Sequence, residues 1–260
     1  MSRKPTIVLV DADNTLWDTD AVFRDAQLLL LSLIEAQTQI ACKAPDRLAF
    51  IRAYDQALAQ KHHLHLRYPP QLLVRSVEAG LTGRGPEAAS HQAIAGQLSL
   101  SVLVSQFAVD RIVAEYLQAL SSTPRLLQGV AVGVRAAKAA GLRLFVMTEG
   151  RVEKQKALLE LYELTGSFEG VWEMTKERSQ FDRVVTRFAE SQVVVIGDQP
   201  DRDIVPAKAA GCSTVLIPSR FKPTWQRDSD HETADHLATD FLDAVTWCIR
   251  ADWEAAVEAR

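Results

Sequence analysis

Cysteine is scarce in this chain and badly placed for any joint task. Cys42, Cys212 and Cys248 are far apart, and none belongs to a Cys-x-x-Cys pair. That argues against a disulfide framework or a cysteine zinc site and fits free thiols in a reducing cytosol, so a cytoplasmic location is expected. Positive charge is not in surplus: 29 lysines and arginines face 33 acids, a formal charge of −4. A general nucleic-acid surface is normally basic, so nucleic acid is not an expected partner. Long apolar runs are missing too. Spanning a bilayer takes roughly 20 apolar residues, and the longest candidate, residues 28–33, belongs to an amphipathic helix. No membrane association is expected, and no signal peptide is expected ahead of the first strand. Finally, residues 20–124 contain no convincing strand.

What is present can build a sizeable core, since 47% of the residues are hydrophobic. The chain is organised around residues 6–16. A run of β-branched and leucine residues, Ile7 to Val10, breaks abruptly into Asp11-Ala-Asp13-Asn-Thr15. Such a continuous apolar run reads as a strand buried on both faces, as in a parallel sheet. Two carboxylates at its C-terminal end lie where open α/β sheets bind ligands.

After Pro124 helices and strands alternate. Helices are expected over 129–140, 151–164, 179–190, 201–210 and 240–258, and strands over 142–148, 171–175, 193–196 and 213–217. In the helix over 151–164, Ala157, Leu158, Leu161 and Tyr162 are expected inward, and in the last helix Phe241, Val245, Trp247 or Cys248, and Trp253. Lys138-Ala-Ala-Gly141 and Lys208-Ala-Ala-Gly211 echo each other: alanines let a helix pack close, and glycine ends it before a strand. Pro206 is tolerable only in a first helical turn, so its helix is expected to begin near Asp203.

Residues 20–124 read as helices only. Thr19 or Asp20 is expected to cap the first; the others run from about Asp46, over 71–79, from Pro86 to about 98, and over 102–120. In the last, Leu103, Phe107, Val113, Tyr116, Leu117 and Leu120 are expected inward. Helices that cover a sheet alternate with strands, so this stretch reads as an insertion of its own. The tract His62-His63-Leu64-His65 is expected to be a polar surface loop, and Trp17, just after the Asp11–Thr15 stretch, either packs or flanks the ligand site at that strand end.

The acids carry the chemistry. Asp11, Asp13, Asp198 and Asp203 are expected at one end of the sheet, and anions packed together require a compensating cation. An all-oxygen set suits magnesium, and with no histidine or cysteine beside them zinc is not expected.

In order along the chain, Asp11-x-Asp13-x-Thr15, the strand ending in Thr148, the later Lys176, and Gly197-Asp198 followed by Asp203 resemble the haloacid dehalogenase superfamily, the aspartate-nucleophile phosphohydrolases. The resemblance implies an α/β fold, a Rossmann-like three-layer core with a parallel sheet (1–18 and 125–260) and an inserted all-helical cap (19–124). It implies a Mg²⁺-dependent hydrolase acting on a small phosphorylated metabolite. Asp11 would be the nucleophile that becomes a phosphoaspartate. Asp13 would protonate the leaving oxygen, then activate water, its main-chain carbonyl joining Asp11 and Asp198 as metal ligands. Asp203 would support the metal's waters or hold the lysine. Thr148 would hydrogen-bond the phosphate, and Lys176 would neutralise it. Lys154 and Lys156 are rival lysines that read better as a solvated helix face. There are three departures: Glu177 follows Lys176 where proline is frequent, Asn14 stands where glycine is frequent, and Glu149 brings an extra anion beside the phosphate site. Of the alternatives, a 2-haloacid dehalogenase needs neither metal nor leaving-group acid, a phosphomutase uses the same parts, and a non-catalytic phospholigand sensor would not need Asp11 and Asp13.

Overall fold

The computed structural model describes residues 5–63, 68–97, 103–219, 221 and 233–258, with 251–258 by backbone alone. The chain divides into two compact units, Met1–Asp20 with Pro124–Arg260, and Ala21–Thr123. Among the described residues no helix is long and apolar enough to cross a membrane.

The first unit is built on a parallel sheet. Its strands are β1 (Thr6–Asp11), β2 (Arg143–Thr148), β3 (Phe168–Glu173), β4 (Gln192–Gly197), β5 (Ser213–Leu216) and β6 (His236–Leu237), in spatial order β3-β2-β1-β4-β5-β6. Every residue of β1 is buried, and its alternate residues feed two different cores. Val8 and Val10 join Leu144, Val146, Val194 and Ile196 on one face, and Ile7 and Leu9 join Phe145, Met147, Val193 and Val195 on the other. The first face is covered by α6 (Val130–Ala139), α7 (Val152–Leu161) and α10 (Phe241–Glu258), and the second by α8 (Arg178–Arg187) and α9 (Val205–Ala209). The result is a three-layer Rossmann-like fold. Gly133 lets α6 and α10 pack close, because a Cβ there would lie 2.7 Å from Phe241 Cδ1. The two Lys-Ala-Ala-Gly echoes close their helices alike. Gly141 and Gly211 take φ of 77° and 85°, and Leu142 N–H to Ala137 C=O is matched by Cys212 N–H to Ala207 C=O, both 3.0–3.1 Å.

β1 is flanked by β2 and β4, so sequence order reverses there. The carboxyl ends of these strands therefore form a topological switch point, where open α/β sheets place their sites.

Several elements depart from the sequence reading. The strand expected over 171–175 spans Phe168–Glu173, with a register shift opposite Leu144/Phe145. The helix expected over 201–210 is split into a π-helical turn, Pro200–Ile204, and the short α9, with Pro206 in its first turn where no N–H is needed. The two-residue β6 and a 3₁₀ turn at Thr165–Ser167 are too short to show periodicity. On α7 the buried side chains are Gln155, Leu158 and Leu159, while Ala157 and Leu161 are exposed. Gln155, not among the residues expected inward, lies on the buried face, where its side-chain oxygen accepts the Trp17 indole N–H. Phe241, Val245 and Cys248 are buried as expected, and Trp253 lies outside the described side chains.

The second unit contains most of α1 (Thr19–Thr38), which begins in the first unit, and α2 (Arg47–Lys61), α3 (Pro70–Leu81), α4 (Pro86–Ile94) and α5 (Gln106–Leu120). Leu30, Ile34, Ile51, Leu58, Val74, Val77 and Ile112 lie in its core. Asp46 caps α2 and Ser105 caps α5, each accepting a main-chain N–H three residues on. With Ser105 as the cap, α5 starts later than expected, and its inward face is Ala108, Val109, Ile112, Val113 and Tyr116. Leu103, Phe107 and Leu117, expected inward, are exposed, Phe107 at 80%. In the histidine tract His62 is buried and stacks on the exposed His63, while residues 64–67 lie outside the described residues.

Candidate active site

The apolar strand β1 delivers Asp11 to the switch point and stops. Residues 12–17 then fold into a tight turn closed by Leu16 N–H to Ala12 C=O (2.9 Å) and Asn14 N–H to Trp17 C=O (2.8 Å). Asn14 adopts a φ of 58°, a left-handed conformation that asparagine tolerates. Its Oδ1 accepts from Asp20 N–H at 2.8 Å and Thr19 Oγ1 at 2.7 Å, so Asn14 does the capping expected of Thr19 or Asp20. Trp17 is fully buried: its indole N–H donates to Gln155 Oε1 at 2.8 Å and its ring stacks on Tyr162. It packs, and thereby anchors the turn that carries Asp13.

Lys176 arrives from the loop after β3. Its Nζ lies 2.6 Å from Asp11 Oδ1 and 2.7 Å from Asp203 Oδ1, with the side chain 6% exposed. From the end of β4 come Asp198 and, across the π-helical turn, Asp203. Gly197 is required there, since a Cβ would lie 2.3 Å from Asp203 Cγ. Asp203 Oδ2 accepts the Gln199 N–H at 3.0 Å, which closes the turn. Thr148, at the end of β2, is buried and its Oγ1 accepts the Gly150 N–H at 2.9 Å, a bond that leaves its own proton uncommitted. Lys154 and Lys156 are exposed on α7, and neither joins this cluster.

Carboxylate oxygens of Asp11, Asp198 and Asp203 all lie within 4.8 Å of one another. Asp13's carboxylate is not in that group; Asp203, which also pairs with Lys176, is one of the three. Burial pushes the Asp11 carboxyl up to about 7, opposed by the Lys176 ammonium and aided by Asp203 and Asp13. Burial, then the charges of Asp11 and Asp203, push Asp198 well up. Burial works against the charge on Lys176, but Asp11 and Asp203 outweigh it and hold the ammonium above the usual lysine range.

These residues fit a divalent cation. Asp13 Oδ1 and Asp198 Oδ1 are buried with no hydrogen-bond partner among the described residues. Three clustered carboxylates are answered by one ammonium, and the donor set is oxygen only.

Sequence reading misses how Glu149 is neutralised. Its carboxylate is paired with Arg202 and accepts the Lys176 main-chain N–H at 3.1 Å. It also misses the anchoring of Asp20, whose Oδ2 accepts from Ser219 Oγ at 2.6 Å. Arg202 stands between two acids already singled out, and that position is the only signal the sequence offers.

A parallel α/β sheet with an aspartate ending its central strand, and with a lysine and two further acids from neighbouring strand ends, defines a hydrolase of the aspartate-centred type. The chain belongs to the haloacid dehalogenase-like hydrolases, whose family model matches residues 5–211. Among solved structures it is similar to a haloacid dehalogenase-like hydrolase from Xanthomonas campestris, at 21% identity over 98% of this chain and 99% of that one, TM-score 0.56. It is similar to the HAD-hydrolase YfnB from Bacillus subtilis, solved bound to magnesium, at 17% identity over 96% and 100%, TM-score 0.57. It is also similar to a predicted phosphoglycolate phosphatase from Haemophilus somnus, at 14% identity over 95% and 100%, TM-score 0.58. At these identities the likeness is one of fold. No curated protein matches the chain at a significant level.

Proposed function

We propose that this hydrolase is a Mg²⁺-dependent phosphatase acting on a small phosphate monoester through a phosphoaspartate on Asp11. The observation that carries the reading is the pairing of Asp11 with the buried Lys176, beside Asp198 and Asp203 and two residues before a second acid. An Asp11 oxygen attacks phosphorus, and the bond from phosphorus to the ester oxygen breaks. Asp13, as the acid, gives its proton to the departing oxygen. The Asp13 carboxylate then takes a proton from water as that water attacks phosphorus; the acyl phosphate breaks, restoring Asp11 and releasing inorganic phosphate. The Thr148 hydroxyl and Lys176 ammonium hold phosphoryl oxygens. Asp11, Asp198 and the Asp13 carbonyl would hold Mg²⁺, with Asp203 supporting its waters. The cation would supply the charge that lets a carboxylate approach a dianion.

Dehalogenation needs neither a metal nor a leaving-group acid, so a second acid and an acid triad favour the phosphatase. The second unit is read as the cap that selects the substrate, a small phosphorylated metabolite of the cytosol.

The test is release of phosphate from p-nitrophenyl phosphate, followed by a panel of sugar phosphates, nucleotides and small phospho-acids, phosphoglycolate among them. Turnover is expected with Mg²⁺, and it should vanish with EDTA and in Asp11→Asn. Full turnover in metal-free buffer refutes the magnesium assignment, and an active Asp11→Asn enzyme refutes the covalent route.

A further inference from the structure

An anion directly after Thr148 is a liability beside a phosphoryl site unless something answers it. Here Glu149 is answered twice, by one partner from each of two other loops. Its Oε1 accepts the main-chain N–H of Lys176 at 3.1 Å, and its Oε2 pairs with Arg202 Nη2. Glu149 follows β2, Lys176 follows β3, and Arg202 lies in the turn after β4, one residue before Asp203. One carboxylate therefore ties together the three loops that bring Thr148, Lys176 and Asp203 to the site. Lys176 is held at both ends: by Glu149 at its main chain, and by Asp11 and Asp203 at its ammonium.

We propose that Glu149 is a positioning residue that fixes the main chain of Lys176, so that its ammonium reaches Asp11 and Asp203 together, and that Arg202 neutralises Glu149. Lysine projects its charge on four rotatable carbons, so the ammonium is only as well aimed as the backbone beneath it. A misplacement of about 1 Å costs on the order of 10²-fold in rate. The kinetic half of this inference rests on the phosphatase reading; the placement half does not.

Two near-isosteric variants separate the roles. Glu149→Met keeps volume and loses both acceptors. Glu149→Gln keeps an oxygen for the Lys176 N–H and loses the charge that Arg202 answers. With p-nitrophenyl phosphate, Glu149→Met should lose about 10²-fold in kcat with KM changed less than about threefold, and Glu149→Gln should recover most of kcat. Arg202→Met leaves an unanswered anion and should raise KM while sparing the placement of Lys176. Placement is read without turnover, by acetylating the native protein and mapping Lys176 by peptide mass against the exposed Lys154 and Lys156. In the wild type and in the Arg202→Met and Glu149→Gln variants Lys176 should be protected. In Glu149→Met its labelling should rise toward that of the exposed Lys154 and Lys156. Unchanged protection of Lys176 in Glu149→Met overturns the proposal, whether or not the wild type proves to be a phosphatase. Wild-type kcat in that variant overturns the kinetic half. Failure of wild type to release phosphate, with the labelling pattern as expected, removes the phosphatase reading and leaves the positioning role standing. If Glu149→Met does not fold, Glu149→Leu, which also lacks both acceptors, replaces it: Lys176 labelling as slow as in the wild type overturns the proposal, and faster labelling supports it.

Discussion

A buried ammonium between two carboxylates is worth more at its place than any exposed lysine nearby. Lys176→Ala would leave Asp11 and Asp203 unanswered and remove the cation facing the phosphoryl group, a loss expected to cut kcat on the order of 10²-fold. Lys156→Ala, on the exposed face of α7, should stay near wild type. Parallel kcat measurements on the two variants check this, and an inactive Lys156→Ala beside an active Lys176→Ala would contradict the geometry. Lys176 is legible in the sequence by its place after Thr148, even with Glu177 where proline is frequent. Asp11 and Asp198 are legible because acids ending apolar runs have few structural uses, and Asp203 by its spacing after Gly197-Asp198. The Glu149–Arg202 pair is not, since an arginine in a polar turn has many possible partners, and only the fold brings the loops after β2 and β4 together. Gln155 is hidden for a similar reason: a polar residue inside an apolar stripe reads as solvated until its buried partner, the Trp17 indole, is seen.

Elements were legible where burial on both faces left no choice. The inner strands are continuous apolar runs, and glycines in the left-handed region end the helices before β2 and β5. Faces were less legible on α5, where Phe107 points to solvent and the small Ala108 packs. The second unit also buries a carboxylate the sequence does not announce, Asp55 on α2. Its Oδ1 accepts the Tyr68 hydroxyl, and Gln56 Nε2 donates to Oδ2 at 3.3 Å. Burial raises its pKa above the ordinary 3.8, against those hydrogen bonds and the nearby Arg52. The folded state therefore binds this proton more tightly than the unfolded one. The stability that follows is fully present below pH 3.8 and is lost as pH rises through the higher folded-state pKa, so at neutral pH the ionised group is a cost. Asp55→Asn keeps a carbonyl for Tyr68 and cannot ionise. It should raise the melting temperature at pH 7.5, by about 2–4 °C for each ~1 kcal/mol recovered, with the gain shrinking toward pH 4. Thermal melts across that range check it; a lower melting temperature at pH 7.5 would mean that the charged hydrogen bond from Tyr68 outweighs its burial.

At the scale of the molecule, the sequence reading separates an α/β body in two segments from a helical insertion, with boundaries after residues 18 and 124. The compact units divide after Asp20 and Thr123, and α1 runs across the first boundary. The α/β unit carries a measurable signature of its site. A cation that binds the folded chain and not the unfolded one stabilises it by RT ln(1 + [L]/Kd), about 2.7 kcal/mol at a hundred times Kd. For a chain of this size that is roughly 5–10 °C. Because the clustered acids all belong to one unit, Mg²⁺ should raise the transition of that unit and leave the helical unit unmoved where the two melt separately. EDTA should reverse the shift. Asp198→Asn removes one of the three clustered carboxylates and should lose the shift without any assay of turnover. Equal shifts in the wild type and Asp198→Asn would locate the cation elsewhere, and the assignment of Asp11, Asp13, Asp198 and Asp203 to a metal centre would fall with it.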